Sequence, residues 1–360
     1  MPFEAYYIII VNYGKKPRAL ARFTGYMMEE TKEKKKHPVR KIVLRSLLCF
    51  FTAVILVLAG GLGGLAILLR GPSPTARDLF VVSMAETSMG IIFPKIFCSN
   101  EEIEAIKAAN TVVPTDDSVD PSLVHTDIDK QQEPIVIEEV SGSTYKGKIM
   151  LIADPSRVKV AVRGEFSETA KGKSVKQMAE ENGAIAGING GWFYDPDGMG
   201  TGGLPVGLVI SGGKLLYGNL NEKYEVIGFD NNNVLFTGWM TAKKALDSGI
   251  RDAVCFGPSL IVNGEPIMIK GLGSGLNPRS AIGQRADGTV IFLALEGRRA
   301  SSLGATLNDV ISVLMRYGAV NAANLDGGMS SILYYNGEYI TESAGIGGNP
   351  RVIPDAFIVV

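Results

Sequence analysis

Residues 46–69, SLLCFFTAVILVLAGGLGGLAILL, carry no charge. As a helix they would rise about 36 Å at about 1.5 Å per residue, enough to cross a hydrocarbon core of about 30 Å. The stretch is too long, and begins too far into the chain, for an ordinary cleaved signal peptide. KEKKKHPVRK runs immediately before it, with Arg45 at its edge, whereas the far side offers only Arg70 and Arg77 nearby. That asymmetry predicts a cytoplasmic N-terminus and places everything after Arg70 outside the cell membrane in a single-pass arrangement. A buried helix of a water-soluble protein is the alternative reading, and both length and charge asymmetry weigh against it. Gly60 and Gly64 add a GxxxG spacing that suits close helix approach, although glycine is common in such spans.

The segment that follows is apolar again. DLFVVSMAETSMGIIFPKIF, residues 78–97, is interrupted by Glu86, Gly90 and Pro94, and it reads as a helix lying on the membrane surface or packing on a distal domain. SNEEIEAIKAAN continues in helical pattern from a Ser99 cap. Residues 111–134 are acidic and rich in turn formers, which predicts a linker. The expected order is therefore a basic cytoplasmic tail (1–45), a transmembrane helix (46–69), a juxtamembrane helical segment and linker acting as a stalk (70–134), and a head (135–360).

Composition narrows the chemistry. A net charge of −1 over 360 residues argues against nucleic acid as a partner. With only His37 and His125 and no CxxC, neither a zinc site of the Cys/His type nor a histidine relay in the C-terminal region is expected. A Cys98–Cys255 bridge is a weak pattern and is not expected. DPDGMGTGG, with Asp195 and Asp197, lacks the third oxygen ligand and closing glutamate of a calcium loop, so it reads as a glycine-rich flap or plain loop. No cofactor is expected, and the sequence gives a divalent cation no support. There is no Walker sequence, and GLGSGL around Ser274 lacks the spacing and histidine partner of a serine esterase.

Turn signals recur through the head. Gly212-Gly213, Asn263-Gly264, Asp287-Gly288 and Asn336-Gly337 each separate apolar or β-branched runs, which predicts hairpins. Ser174 with Gln177, and Thr306 with Asp309, predict two capped helices ending near Gly183 and Gly318. In the second, Leu307, Val310, Ile311, Leu314 and Met315 share one face. The expected class is an α+β head with a mixed or largely antiparallel sheet and few helices. Each helix leads through a short strand of small residues into an asparagine and paired glycines, NGGWF at 189–193 and NLDGGMSS at 324–331. That repetition favours two loops converging on one cleft; a shared need for tight turns would also account for it.

Taken together, GAIAGINGGWF, GLPVGLVISGGK, CFGPSLIVNGE, NPRSAIG, LEGRRASSLGATLNDV, NLDGGMSS and RVIPDAFIV resemble, in order, the phosphodiester glycosidase (uncovering-enzyme-like) domain family over residues 135–360. The chain looks like a membrane-anchored bacterial member. The resemblance implies a hydrolase that splits the sugar–phosphate bond of a glycosyl phosphodiester, here in a cell-envelope or exopolysaccharide glycan.

The residues fit that chemistry. A phosphate monoester leaves as a stable anion, and its main requirement is fixed positive charge, which arginine supplies through paired hydrogen bonds. Arg279 resembles the family's most recognisable arginine and is the expected phosphate ligand; Arg298 and Arg351 lie in similar loops. Charge develops at the anomeric carbon as an oxocarbenium-like centre, where a carboxylate is needed. Asp326 is the first candidate and Glu296 the second, although relatives commonly carry aspartate at the latter position. Asn189, Gly190, Gly191, Ser330 and Ser331 are expected donors to sugar or phosphate oxygens. A turn-stabilising role for Asp326, a surface ion pair for Arg279 and core packing for Trp192 are the ordinary alternatives. A non-catalytic glycan-binding or envelope-assembly module, and a phosphodiesterase cleaving P–O, are the competing functions.

Overall fold

A computed structural model describes residues 38–87, 90–115, 117–126 and 135–360. The tail before Pro38 and part of the expected linker lie outside the described residues. The described residues divide into two units, one ending at Gly60 and a compact one at Gly61–Val360. Helix α1 (Pro38–Arg70) covers the expected apolar stretch and begins before it. With a mean hydropathy of 2.6 over an unburied 18-residue stretch, it is long and apolar enough to cross a membrane.

Within the second unit, the end of α1 joins α2 (Pro74–Ala85), α3 (Ile92–Lys95) and α4 (Asn100–Ala109). Ser73 caps α2, and Ser99 with Glu102 forms a capping box on α4. Leu69, Val81, Val82, Cys98, Ile103 and Ile106 make this helical cap a small core of its own.

The head is built from three sheets. The largest runs β1 (Ile135–Ser141), β2 (Lys146–Ile152), β13 (Val290–Leu295), β12 (Arg279–Arg285), β14 (Ala319–Leu325), β10 (Ser259–Val262), β11 (Glu265–Pro266). A second runs β16 (Glu338–Tyr339), β15 (Leu333–Tyr335), β4 (Ala186–Asn189), β17 (Asp355–Val359), β3 (Val158–Val162). The third runs β6 (Lys214–Tyr217), β5 (Val209–Ser211), β9 (Ile250–Cys255), β7 (Lys223–Asp230), β8 (Leu235–Thr241). Every ladder is antiparallel, so the antiparallel half of the expectation holds. One core draws on all three sheets: Phe292, Phe357 and Phe229 are fully buried in it, the last two edge to face at 6.3 Å.

The local signals are realised. All four expected hairpins form, and at Asn263-Gly264 and Asn336-Gly337 both turn residues have positive φ. Both head capping boxes are made, on α5 (Val175–Glu181) and α7 (Leu307–Arg316). A further short helix, α6 (Ala242–Asp247), starts from a Thr241 cap. On α7 the apolar face is shifted: Met315 is 41% exposed and Val313 is buried.

The expected stalk is not a free spacer. Val119 and Val124 are buried against Val234 and Val262, His125 N donates to Ala286 O (2.7 Å), and Val112 bridges Ile269. Acidic composition suggested a linker; the valines embedded in it supply the burial that holds it down. Asn110 Oδ1 accepts from Leu272 N (2.9 Å), and Ser83 Oγ accepts from Leu276 N (2.8 Å). The helical cap is therefore docked on the head. Gly275 makes that docking close, because a Cβ there would sit 2.2 Å from Ser83 Cα. Gly275→Val is expected to lever α2 away. Overpacking costs about 1–3 kcal/mol, so limited proteolysis within 74–115 should accelerate about 5- to 150-fold. Unchanged protection would contradict this docking.

Candidate active site

Helix α5 feeds β4 and helix α7 feeds β14, and every residue of both strands is buried apart from Val320. Their tips meet although the strands lie in different sheets. Asn189 is fully buried: its Nδ2 donates to the Asp326 carbonyl, and its Oδ1 accepts from Ser280 Oγ (2.8 Å) and Ile332 N (3.2 Å). Asp326 N donates to Gly190 O (3.2 Å). The two asparagine-glycine loops do converge.

They converge on a cleft of about 1540 Å³ whose lining includes Asp326, Ser330, Arg298, Arg279, Arg351 and Glu225 from the head. Asp326 opens to this cleft but is otherwise ringed by protein. Desolvation lifts its carboxyl to about 7, while a hydrogen bond from Ser330 and the charge of Arg351 pull it down. Arg298 sits in the left-handed region at φ 58, which non-glycine residues seldom occupy, with Nε and Nη2 donating to Asn277 Oδ1 (3.3 and 3.0 Å). It makes no ion pair among the described residues. Burial, followed by the neighbouring Arg279, lowers its pKa, with Glu86 and Asp326 opposing. A desolvated guanidinium with no carboxylate of its own suits an incoming anion.

Several expected residues hold other posts. Arg279 shares the cleft with Asp326, but its Nη2 donates to Glu86 Oε2 (2.6 Å) and Gly275 O (2.8 Å), and its Nε to Ala305 O (3.2 Å). Glu86 of the cap thus already neutralises Arg279, whereas Arg298 has no such partner among the described residues. Glu296 is buried and is absent from the cleft lining; its carboxylate accepts from Glu342 N (2.9 Å) and meets Lys146 Nζ (3.4 Å). A strand end placed it near the site, but its side chain turns toward β2. Arg351 faces the cleft yet forks onto Asp195 while lying 4.9 Å from the Phe193 ring centroid. Although burial opposes its ionisation, Asp195 is held below the ordinary carboxylate range by that fork.

The expected backbone donors are also committed. Gly191 N donates to Asp355 Oδ1 (2.7 Å), and a Cβ on Gly190 would stand 2.1 Å from the same oxygen. Ser331 Oγ pairs with Ser280 Oγ (2.7 Å), whereas Ser330 reaches Asp326. These groups fix the loops in place.

The structure adds carboxyls that the sequence reading passed over. Asp355 is 1% exposed with one carboxyl oxygen unpartnered, and burial raises it to about 7, with Asp326 adding to the shift against Gly191 N. Glu225 lines the cleft, accepts from Ser259 N (2.8 Å), and is raised chiefly by burial. Glu86 closes the ion pair with Arg279. Asp355 stood inside RVIPDAFIV, a motif already quoted; Glu225 and Glu86 carried no local signal. Among the described residues there is no group of three His, Cys, Asp or Glu side chains suited to hold a metal.

Comparison with known proteins bears on this geometry. The model of the family described as phosphodiester glycosidase (NAGPA) matches residues 182–360, which contain β4, β14 and both converging loops. Residues 182–360 belong to the phosphodiester glycosidase family. A curated relative, the SPbeta prophage-derived uncharacterized protein YomE of Bacillus subtilis (strain 168), is 29% identical over 207 residues, covering 53% of this chain and 30% of its own length. The chain thus spans about a third of that relative. Among solved structures, the zebrafish N-acetylglucosamine-1-phosphodiester alpha-N-acetylglucosaminidase catalytic domain, auto-inhibited by pro-peptide, has a TM-score of 0.54 at 20% identity. The match covers 64% of this chain and 85% of the zebrafish one and is a likeness of fold. A putative exported protein of Burkholderia pseudomallei K96243 gives a TM-score of 0.46 at 16% identity, covering 60% and 74% of the two chains.

The raised carboxyls of the phosphodiester glycosidase domain have a consequence for stability. A carboxyl at about 3.9 in the unfolded chain and about 7 in the fold binds protons more tightly when folded. Its stabilisation is complete below about pH 4 and is lost as pH climbs toward 7. Asp355→Asn keeps an oxygen for Gly191 N and removes the buried charge. It is expected to raise Tm relative to the parent at pH 8, with the difference shrinking toward pH 4. A Tm difference that does not depend on pH would contradict the assignment.

Proposed function

We propose that this cleft hydrolyses the bond between an anomeric carbon and the phosphate of a glycosyl-1-phosphodiester in a cell-envelope or exopolysaccharide glycan. The observation that carries the reading is the shared cleft of Asp326, a carboxyl lifted to about 7, and Arg298, a partly desolvated guanidinium with no ion-pair partner among the described residues. Family membership of residues 182–360 supports it.

Arg298 binds the phosphate and neutralises the charge that builds on it as the glycosidic C–O bond breaks. The electron pair of that bond leaves with the phosphate monoester. Ionised Asp326 steadies the ring cation and takes a proton from the water whose oxygen joins the anomeric carbon. The products are free sugar and phosphate monoester, and the departing phosphate needs no proton. Asn189 and Asp355 act as positioning residues behind the loop.

Asp326→Asn is expected to lower kcat about 10²- to 10⁴-fold with Tm retained. Arg298→Ala should lower kcat/KM about 10- to 10²-fold, the worth of a charged hydrogen bond. The parent's kcat should rise as pH passes through about 7, where Asp326 ionises. Parental activity in both variants against a panel of sugar-1-phosphodiesters would overturn the assignment.

We further propose that α1 anchors the chain with the basic run inside the cell and the head outside. A protease added to intact cells is then expected to release the head. A head cut only after the cells are broken would reverse the orientation.

A further inference from the structure

The cleft is larger than its proposed headgroup chemistry requires. Its volume of about 1540 Å³ exceeds the roughly 300–1,000 Å³ of a pocket that encloses a drug-sized ligand. A sugar and one phosphate leave much of it unfilled.

The remaining space is not shaped for more sugar. One wall is α2, which contributes Leu79, Phe80 and Met84, and the wall reaches Leu68 in the last turn of α1. Trp239 and Phe256 face it from the head. Aromatic rings alone would suit stacked sugars, but the leucine, phenylalanine and methionine side chains of this wall offer hydroxyls no partner, and the Ser83 hydroxyl among them is already bonded to Leu79 O and Leu276 N. The charged groups of the lining are Glu225, which stands opposite Trp239 in the β7–β8 ladder, the Arg351–Asp195 pair, Arg298, Asp326 and the Glu86–Arg279 pair. That last pair fixes the apolar wall to the head, since Glu86 follows directly on α2 and also accepts from Gly275 N (2.9 Å) and Asn277 Nδ2 (2.7 Å).

Two further features link this space to lipid. It abuts the end of a helix long and apolar enough to cross a membrane. Ile92, Phe93 and Ile96 of the adjoining turn are 58%, 51% and 48% exposed, an apolar face of the kind that settles into a headgroup layer.

We infer that the phosphodiester taken by this cleft carries a hydrocarbon chain as its second arm, a lipid-linked glycosyl phosphate. The chain lies along α2 and the phosphate sits at Arg298. The inference rests on the proposed hydrolysis and specifies its substrate class. Water's oxygen joins the anomeric carbon, the glycosidic C–O bond breaks, and the lipid phosphate monoester departs with the electron pair.

The test uses the full chain in lipid nanodiscs and a panel of α- and β-linked sugar-1-phosphodiesters. Each is supplied as its methyl and its octyl ester, below the octyl ester's micelle concentration. A buried methylene is worth about fourfold in affinity, so burying about four of the extra methylenes of the octyl chain raises kcat/KM over methyl by on the order of 10²-fold. Leu79→Gln and Trp239→Ala should each cut that ratio at least tenfold. Trp239 is 57% exposed, which spares folding in the second variant, and comparing variants in the same discs cancels partition of the ester into lipid. Equal turnover of methyl and octyl esters would overturn the lipid arm and leave the hydrolysis standing. A chain-length preference untouched by both variants would overturn the α2 groove. No turnover of any ester would overturn the hydrolysis and, with it, this inference.

Discussion

One buried amide joins the parts on which this site depends. Asn189 stands at the tip of β4 and holds the carbonyl of Asp326 at the tip of β14, while its oxygen takes the Ser280 hydroxyl of β12 and the Ile332 amide. Four chain segments from two sheets are thereby fixed to within hydrogen-bond tolerance. Because Asn189 is fully buried, losing this side chain would leave several buried polar groups unpaired. Asparagine serves because it is donor and acceptor at once; aspartate of similar size would lose the donor, and leucine would lose both.

That junction brings carboxyls close together in a region short of water. Asp326 and Asp355 are both lifted to about 7, burial being the larger cause in each. The fold tolerates this cost where the chemistry uses it, a pattern common at active sites. Cations are allotted with equal economy. Arg351 is matched by Asp195 and Arg279 by Glu86, which leaves Arg298 held by an amide oxygen and open to an anion.

The features visible in the sequence are local ones. Hairpin turns at Asn263-Gly264 and Asn336-Gly337, and capping boxes at Ser174 and Thr306, depend on residues a few positions apart, so their spacing is enough. The two asparagine-glycine loops were legible because each follows a capped helix and a short strand of small residues. The roles of the arginines were not. Arg279 is neutralised by a glutamate 193 positions away, and no spacing rule links NPRSAIG to the end of α2. The contacts of Glu296 were hidden for a related reason: alternation along β13 fixes its position and leaves the direction of its terminal carboxylate to its neighbours. The linker expected at 111–134 rests on acidic, turn-rich composition, which hides the valines that dock its described part.

The account stands on bond cleavage at the sugar carbon, with the guanidinium on the departing phosphate. Hydrolysis in ¹⁸O-enriched water, followed by mass analysis of both products, tests this most directly. The account predicts the label in the anomeric hydroxyl of the released sugar and none in the phosphate monoester. Label in the phosphate would mean attack at phosphorus, and the roles given to Asp326 and Arg298 would fall.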